Sequence, residues 1–451
     1  MKLLKWIPAL LCAGTLLFSC TKEPGTDKEG LPDKDENGNP VGGTYDYFIY
    51  GVADIAIDTD GGLPVDSKES KDYRPCSIRV DGNGIFTDYD GRGKIRGRGN
   101  STWEWYRKKP YRIKLDTSAD FMSMPNNRDW VLLADYRDVT HMMNSTGFTL
   151  AHHLGIPYTN HSRYARLTLN GKYMGLYMVT EQVEEGGNRV AVDKEEGILL
   201  ALDINDGPED VPDATDNFWS EEFGMACAVK YPEDATKEIT EYVKQEFADL
   251  EWTIRQMDWE EVSEILDVRS MIDYLIVEEV IANVEMDNNP STRSAYISRK
   301  SPSDKWIMGP VWDCDAGFSY NWGDMYDSWG WGHTFFENYR ILIMGSNPFT
   351  GAGAYGSGVG PLFRYLFGMP EFVAAFKERW NGIKDGLQEA ALDNIKKTEE
   401  AIRDDAIDDM DLWGIDNYSH TAEVGKMKTW LRNRFKYLDG IINAYPEKAG
   451  K

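Results

Sequence analysis

Near Asp193 the hydrophobic period of the chain changes, and this limits the architecture more than any other feature of the sequence. Between residues 45 and 189, short apolar runs are separated by Asp-Gly, Gly-Arg-Gly and Asn-Gly turns, the punctuation of β-structure. The strongest single signal is Asn170-Gly171, flanked by alternating apolar residues at 165–169 and 173–179, which predicts a tight hairpin. One helix is expected in this half, over 140–154, with Thr140 as N-cap and Gly155 followed by Pro157 as its stop. Beyond Asp193 the spacing turns helical over 236–257 and 262–284, and again within 362–444. Short β segments at 294–298 and 306–311 interrupt it, and a Gly- and aromatic-rich stretch follows at 318–360. The expected class is α+β: a β-rich part over about 44–190 packed on a helical part over about 191–451, with a cleft between them.

The amino terminus sets the expected compartment. Lys2 and Lys5 precede an apolar run at 6–18 that is too short to span a bilayer, followed by Leu17-Phe18-Ser19-Cys20. Residues 1–19 read as a bacterial lipoprotein signal with Cys20 as the lipidated residue, and 20–43 as a polar, flexible tether. The expectation is a protein held in the cell envelope by its lipid alone. In lipoproteins of this kind the absence of Asp after Cys20 favours the outer membrane, with surface exposure left open. The chain as a whole is acidic: 49 Lys and Arg stand against 75 Asp and Glu, a net charge of -26, and such a surface repels nucleic acid.

Against that background a compact basic block stands out at Arg96-Gly97-Arg98-Gly99-Asn100, followed by Lys108-Lys109-Pro110-Tyr111-Arg112-Ile113-Lys114. Glycines let a backbone approach a ligand closely, and Arg98 with the lysines suits phosphate oxygens; a Gly-rich hairpin with solvated lysines is the plain alternative. Asp313 and Asp315 end an apolar run, and at a strand's period of two both carboxylates face one way, an arrangement that suits a hard cation. Hydrogen bonding of both to loop amides is the competing reading. Glu285 and Asp287, after the second apolar helix, are candidates to orient a hydroxyl, although acids are also ordinary at helix ends. Glu181 follows the hairpin, where it either lines the cleft or ends a strand. No His-Glu-x-x-His, Gly-x-Ser-x-Gly, Walker A or Cys-x-x-Cys pattern occurs, which disfavours zinc protease, serine hydrolase, P-loop and thioredoxin-like chemistry.

Taken in order, the basic block, Trp130-Val131-Leu132-Leu133, Leu154-Gly155-Ile156-Pro157-Tyr158, Leu169-Asn170-Gly171-Lys172-Tyr173-Met174-Gly175 and Gly309-Pro310-Val311-Trp312-Asp313-Cys314-Asp315 resemble the CotH family of spore-coat-protein-H-type atypical kinases. The resemblance implies a reduced, two-lobed protein-kinase-like fold. It further implies ATP with Mg or Mn, and phosphoryl transfer to a Ser or Thr of an extracytoplasmic protein. Carried over by position, Arg98, Asn100, Lys109 and Lys114 lie along the phosphates, with Glu181 near the nucleotide. Asp313 and Asp315 hold the metal, and Asp287 orients the acceptor. Where the family commonly has Asn-Val-Asp, this chain has Asn283-Val284-Glu285, so Glu285 and Asp287 compete for that role. Two other readings stand beside this one: a non-catalytic surface module that binds a glycan or protein through the aromatic stretch 318–331, and a glycosidase using Asp287 with Asp313 or Asp315.

Overall fold

The computed structural model describes residues 45–287, 292–319 and 359–445, together with two short strands nearer the amino terminus. The chain divides into two compact units, Met1–Gly43 and Thr44–Lys451. In the first, β1 (Asp33–Lys34) and β2 (Pro40–Val41) pair antiparallel. All that follows concerns the second.

Seven strands close into a barrel: β3 (Val52–Thr59), β4 (Arg74–Asp81), β5 (Tyr89–Gly97), β6 (Tyr111–Phe121), β7 (Met124–Leu133), β8 (Arg163–Leu169) and β9 (Lys172–Glu181). Neighbours run antiparallel except at the seam, where β3 and β8 pair in parallel, Val52 beside Tyr164 through Ile57 beside Leu169. The interior is filled by alternate residues such as Ile55, Ile78, Ile113, Leu167 and Val179, as barrel closure requires. The β8–β9 hairpin turns at Asn170 (φ 51°) and Gly171 (φ 74°), both left-handed, as the Asn-Gly pair predicts.

A second, five-stranded antiparallel sheet has the order β11-β12-β10-β13-β14, built from β10 (Ile198–Leu202), β11 (Asn217–Ser220), β12 (Met225–Tyr231), β13 (Ala295–Arg299) and β14 (Trp306–Met308). Helices Lys237–Gln256, Trp259–Ile265 and Val268–Ile281 lie between its strands in sequence, and the 44-residue helix Pro370–Trp413 and the helix His420–Ala444 end the described chain. Among the described residues no helix is long and apolar enough to cross a membrane.

This architecture corrects the expected one. The two-lobed kinase-like arrangement, a β lobe to about 190 and a helical lobe after it, is not what forms: the first half closes on itself as a barrel, and the second carries a sheet of its own. Both departures have physical reasons. β10 reads Ile-Leu-Leu-Ala-Leu and is buried at every residue, so it lacks the polar alternation that marks a half-exposed strand. Barrel closure depends on a parallel pairing of β3 with β8, and no local pattern announces a partner that far along the chain.

The helix boundaries moved for local reasons as well. The helix expected from Thr140 starts at Met143, because the carboxylate of Asp138 accepts from the backbone N–H groups of Thr140 (2.9 Å) and Met143 (2.8 Å) and holds the preceding turn. The run at 262–284 breaks at Asp267, which caps a new helix by accepting from the N–H of Ser270 at 2.9 Å.

Glu251, on helix Lys237–Gln256, is buried with its carboxyl hydrogen-bonded by the Ser220 hydroxyl, and burial pushes its pKa up to about 7. The folded state therefore holds this proton more tightly than the unfolded chain, and the site costs stability as pH rises from the ordinary glutamate range to about 7. Glu251→Gln is expected to raise unfolding stability at about pH 8 by on the order of 2–3 kcal/mol and to change it little near pH 4. Urea midpoints at the two pH values check this.

Candidate functional site

A cavity of about 830 Å³ opens between the barrel and the second sheet. The barrel contributes the loop that leaves β5 (Arg98, Gly99, Asn100) and the segment after β7 (Ala134 to Arg137). The opposite wall carries Asp203, Tyr296, Glu285 and the loop after β14 with Trp312, Asp313 and Asp315. Gly97 and Gly99 make the first loop possible. A Cβ on Gly97 would meet the Trp103 ring at 2.2 Å, and Gly99 has φ 81°.

Arg98 lines the cavity with its guanidinium over the Trp312 ring at 5.6 Å; its backbone N–H donates to the Pro110 carbonyl at 3.2 Å, while the guanidinium makes no hydrogen bond or ion pair among the described residues. Opposite it, Asp313 and Asp315 are brought to one surface, although not by a strand. The strand ends at Met308, Asp313 is left-handed (φ 58°, ψ 53°), and a 3-10 turn follows at Cys314–Ala316. The Cys314 N–H donates to Asn144 Oδ1 at 2.8 Å, which fixes the turn against helix Met143–Leu154. Ser294 Oγ donates to Asp313 Oδ2 at 3.2 Å, and Arg137 pairs with Asp315 at 3.1 Å. Burial first, and then the neighbouring Asp315, pushes the Asp313 carboxyl up to about 7.

Glu285 joins these acids. It is buried, its Oε2 has no hydrogen-bond partner among the described residues, and burial together with Asp313 pushes its pKa well above the carboxylate range. Asp287 ends the 3-10 turn Val284–Asp287, and its side chain lies outside the described residues. Cys20 and most of the aromatic stretch 318–331 lie outside them too.

Three expected nucleotide residues are elsewhere. Lys109 turns back to donate to the Trp103 carbonyl beneath the Trp103 ring. Lys114 pairs with Asp129 at 3.0 Å, and Arg112 shares that carboxylate. Glu181 faces a second cavity, where both of its oxygens are taken by His161. Asn100 does line the main cavity, its Oδ1 accepting from Lys68 Nζ at 3.0 Å.

Sequence reasoning gave no separate role to Lys108, which reaches the cavity wall, as Lys68 and Lys230 also do. Lys108, fully buried, bonds to the Leu176 carbonyl and pairs with Asp409 of the long helix at 2.8 Å. It also passed over Asp135 and Arg137, although a charged cluster directly after the apolar run Trp130-Val131-Leu132-Leu133 was a readable signal.

A family model described as CotH kinase protein matches residues 95–438. The chain belongs to the CotH kinase family. The matched span starts within β5, takes in both walls of the cavity and ends in the last helix, whereas β3 and β4 precede it. A search of curated proteins returned no match. Among the described residues, no group of three or more His, Cys, Asp or Glu side chains stands in metal-ligating geometry. Asp313, Asp315 and Glu285 nevertheless border one cavity, and a magnesium-like ion takes one or two carboxylates and completes its shell with water and phosphate.

Proposed function

We propose that this CotH-family protein binds ATP with Mg or Mn in the main cavity and transfers the terminal phosphoryl group to a Ser or Thr hydroxyl of an extracytoplasmic protein. The observation that carries the reading is the juxtaposition across one cavity of the Arg98 guanidinium, which has no ion-pair partner among the described residues, and the crowded acids Asp313, Asp315 and Glu285. A metal–triphosphate complex has this charge pattern, with anionic oxygens for the arginine and a cation for the carboxylates. The cavity volume of about 830 Å³ is in the range of small-molecule sites.

In this reading Arg98 and the backbone of Gly99 and Asn100 position the phosphates, and Asp313 with Asp315 holds the divalent ion, which when bound neutralises phosphate charge. Glu285 or Asp287 accepts the proton as the acceptor hydroxyl forms its new O–P bond and the bond to the departing diphosphate breaks. Lys109, Lys114 and Glu181 have no part in it, because their charges are spent elsewhere. The lipid anchor at Cys20 and an envelope location, with the acceptor a secreted or surface protein, belong to the same proposal.

One observation favours a second reading, a non-catalytic module on the same fold. Asp315 already pairs with Arg137, and Asp313 is already hydrogen-bonded by Ser294. Incubation of the purified protein with ATP labelled on the terminal phosphate, with Mg or Mn and a generic protein acceptor, separates the two. Transfer is expected, and Arg98→Ala is expected to weaken nucleotide binding by about tenfold or more. Binding without any transfer favours the module, and absence of binding removes the kinase reading.

A further inference from the structure

The acids of the main cavity share it with a second arginine. Arg137 lines the same wall, is only 6% exposed, and pairs with Asp315 Oδ1 at 3.1 Å. Its charge reaches two more carboxyls. Burial and Asp315 push the Asp313 carboxyl up, while Arg98 and then Arg137 pull against them. Burial and Asp313 raise Glu285, and Arg137 opposes them ahead of Arg293. One guanidinium therefore faces both acids assigned to the divalent ion and a third that is a candidate to orient the acceptor hydroxyl.

Both ends of the Arg137–Asp315 pair are anchored to one helix. Arg137 lies in the turn between β7 and helix Met143–Leu154, where the Asp138 N–H donates to the Asp135 carbonyl at 3.0 Å and the Asp138 carboxylate accepts from the N–H groups of Thr140 and Met143. Asp315 lies in the 3-10 turn that Asn144 of the same helix fixes through the Cys314 N–H at 2.8 Å. The lysines of the wall are placed differently: Lys108 pairs with Asp409, Lys230 with Asp206, and Lys68 bonds to Asn100.

From this placement we infer that Arg137 competes with the divalent ion for Asp315, and that phosphate oxygens relieve the competition by taking over the guanidinium. The cavity then admits the ion together with a polyphosphate rather than alone. A guanidinium and a divalent cation that converge on one carboxylate meet each other as like charges at close range. A polyphosphate removes the conflict because it supplies anionic oxygens to both, and the planar fork of an arginine is matched as well by phosphate as by carboxylate. The inference rests on the reading that Asp313 and Asp315 hold a divalent ion beside phosphates, and adds to it the order in which the parts assemble.

Equilibrium dialysis of Mn against the full protein, alone and with inorganic tripolyphosphate at equal free Mn, tests it. In the wild type, tripolyphosphate is expected to tighten retention of Mn about tenfold or more. Arg137→Met and Arg137→Gln, which remove the charge, are expected to retain Mn alone about tenfold or more tightly than the wild type, and to lose most of the gain from tripolyphosphate. Arg137→Lys keeps the charge and is expected to stay near the wild type with Mn alone. A merely structural pair predicts the opposite sign, because loosening Asp315 weakens retention. Melting of each variant is recorded, and a folded neutral variant whose retention of Mn alone is unchanged or weaker overturns the inference. If neither neutral variant folds, the wild type decides: equal retention with and without tripolyphosphate overturns it. The two readings fail separately. Neutral variants that gain Mn while the wild type neither binds nor uses ATP leave the competition standing and remove the kinase reading; Mg-ATP binding by the wild type with no gain in the variants does the reverse.

Discussion

Asp313→Asn combined with Asp315→Asn is expected to abolish metal-dependent nucleotide binding, a loss of at least about a hundredfold by titration, while the protein stays folded. The two side chains carry the cation in the proposed reaction, and asparagine keeps their size and one oxygen but not their charge. Folding is expected to tolerate the change. Asp313 sits half-buried beside Asp315, and its carboxyl is pushed up to about 7, so removal of like charge relieves repulsion. Arg137, which pairs with Asp315 at 3.1 Å in the parent, still finds an acceptor, because the amide at that position keeps one oxygen. Unchanged Mg-dependent binding by the double variant would remove these residues from the site.

The largest expected effect on stability belongs to Asp409→Ala. Lys108 and Asp409 are 0% and 1% exposed and pair at 2.8 Å. Asp409 Oδ1 also accepts from the Leu176 N–H at 2.9 Å, and His141 Nε2 lies 3.4 Å from Oδ2. β9 is shaped around this carboxylate: at Gly175, with φ 103°, a Cβ would come within 1.9 Å of Asp409 Oδ1. Removal of the acid leaves a buried ammonium uncompensated and an N–H unmatched, at a cost of about 3–5 kcal/mol. Urea unfolding of Asp409→Ala beside the double variant Lys108→Met/Asp409→Leu checks the cause. If the uncompensated charge dominates, the double variant recovers most of the loss; if both fall equally, packing rather than charge holds the junction.

What the sequence made legible follows from how local each signal was. The Asn170-Gly171 hairpin, the helix stop at Gly155 and the helix that begins at Thr236 are settled by a few adjacent residues, and each formed as read. The two-lobed architecture failed because barrel closure and the buried strands of the second sheet depend on partners distant in the chain. The site divides the same way. Arg98, Asn100, Glu285, Asp313 and Asp315 converge on one cavity, whereas Lys109, Lys114 and Glu181 are engaged by Trp103, Asp129 and His161. Sequence shows that a residue is charged but not which counter-charge will claim it. Lys108 and Lys109 are adjacent and chemically identical, and only the fold decides that Lys108 reaches the wall of the cavity.

Calorimetric titration of ATP into the purified wild-type protein, with Mg or Mn present and again after chelation, tests the central claim most directly. The account predicts one-to-one binding that requires the divalent ion and disappears with the chelator. Heat-silent titrations in both conditions, confirmed by equilibrium dialysis with labelled ATP, would contradict it.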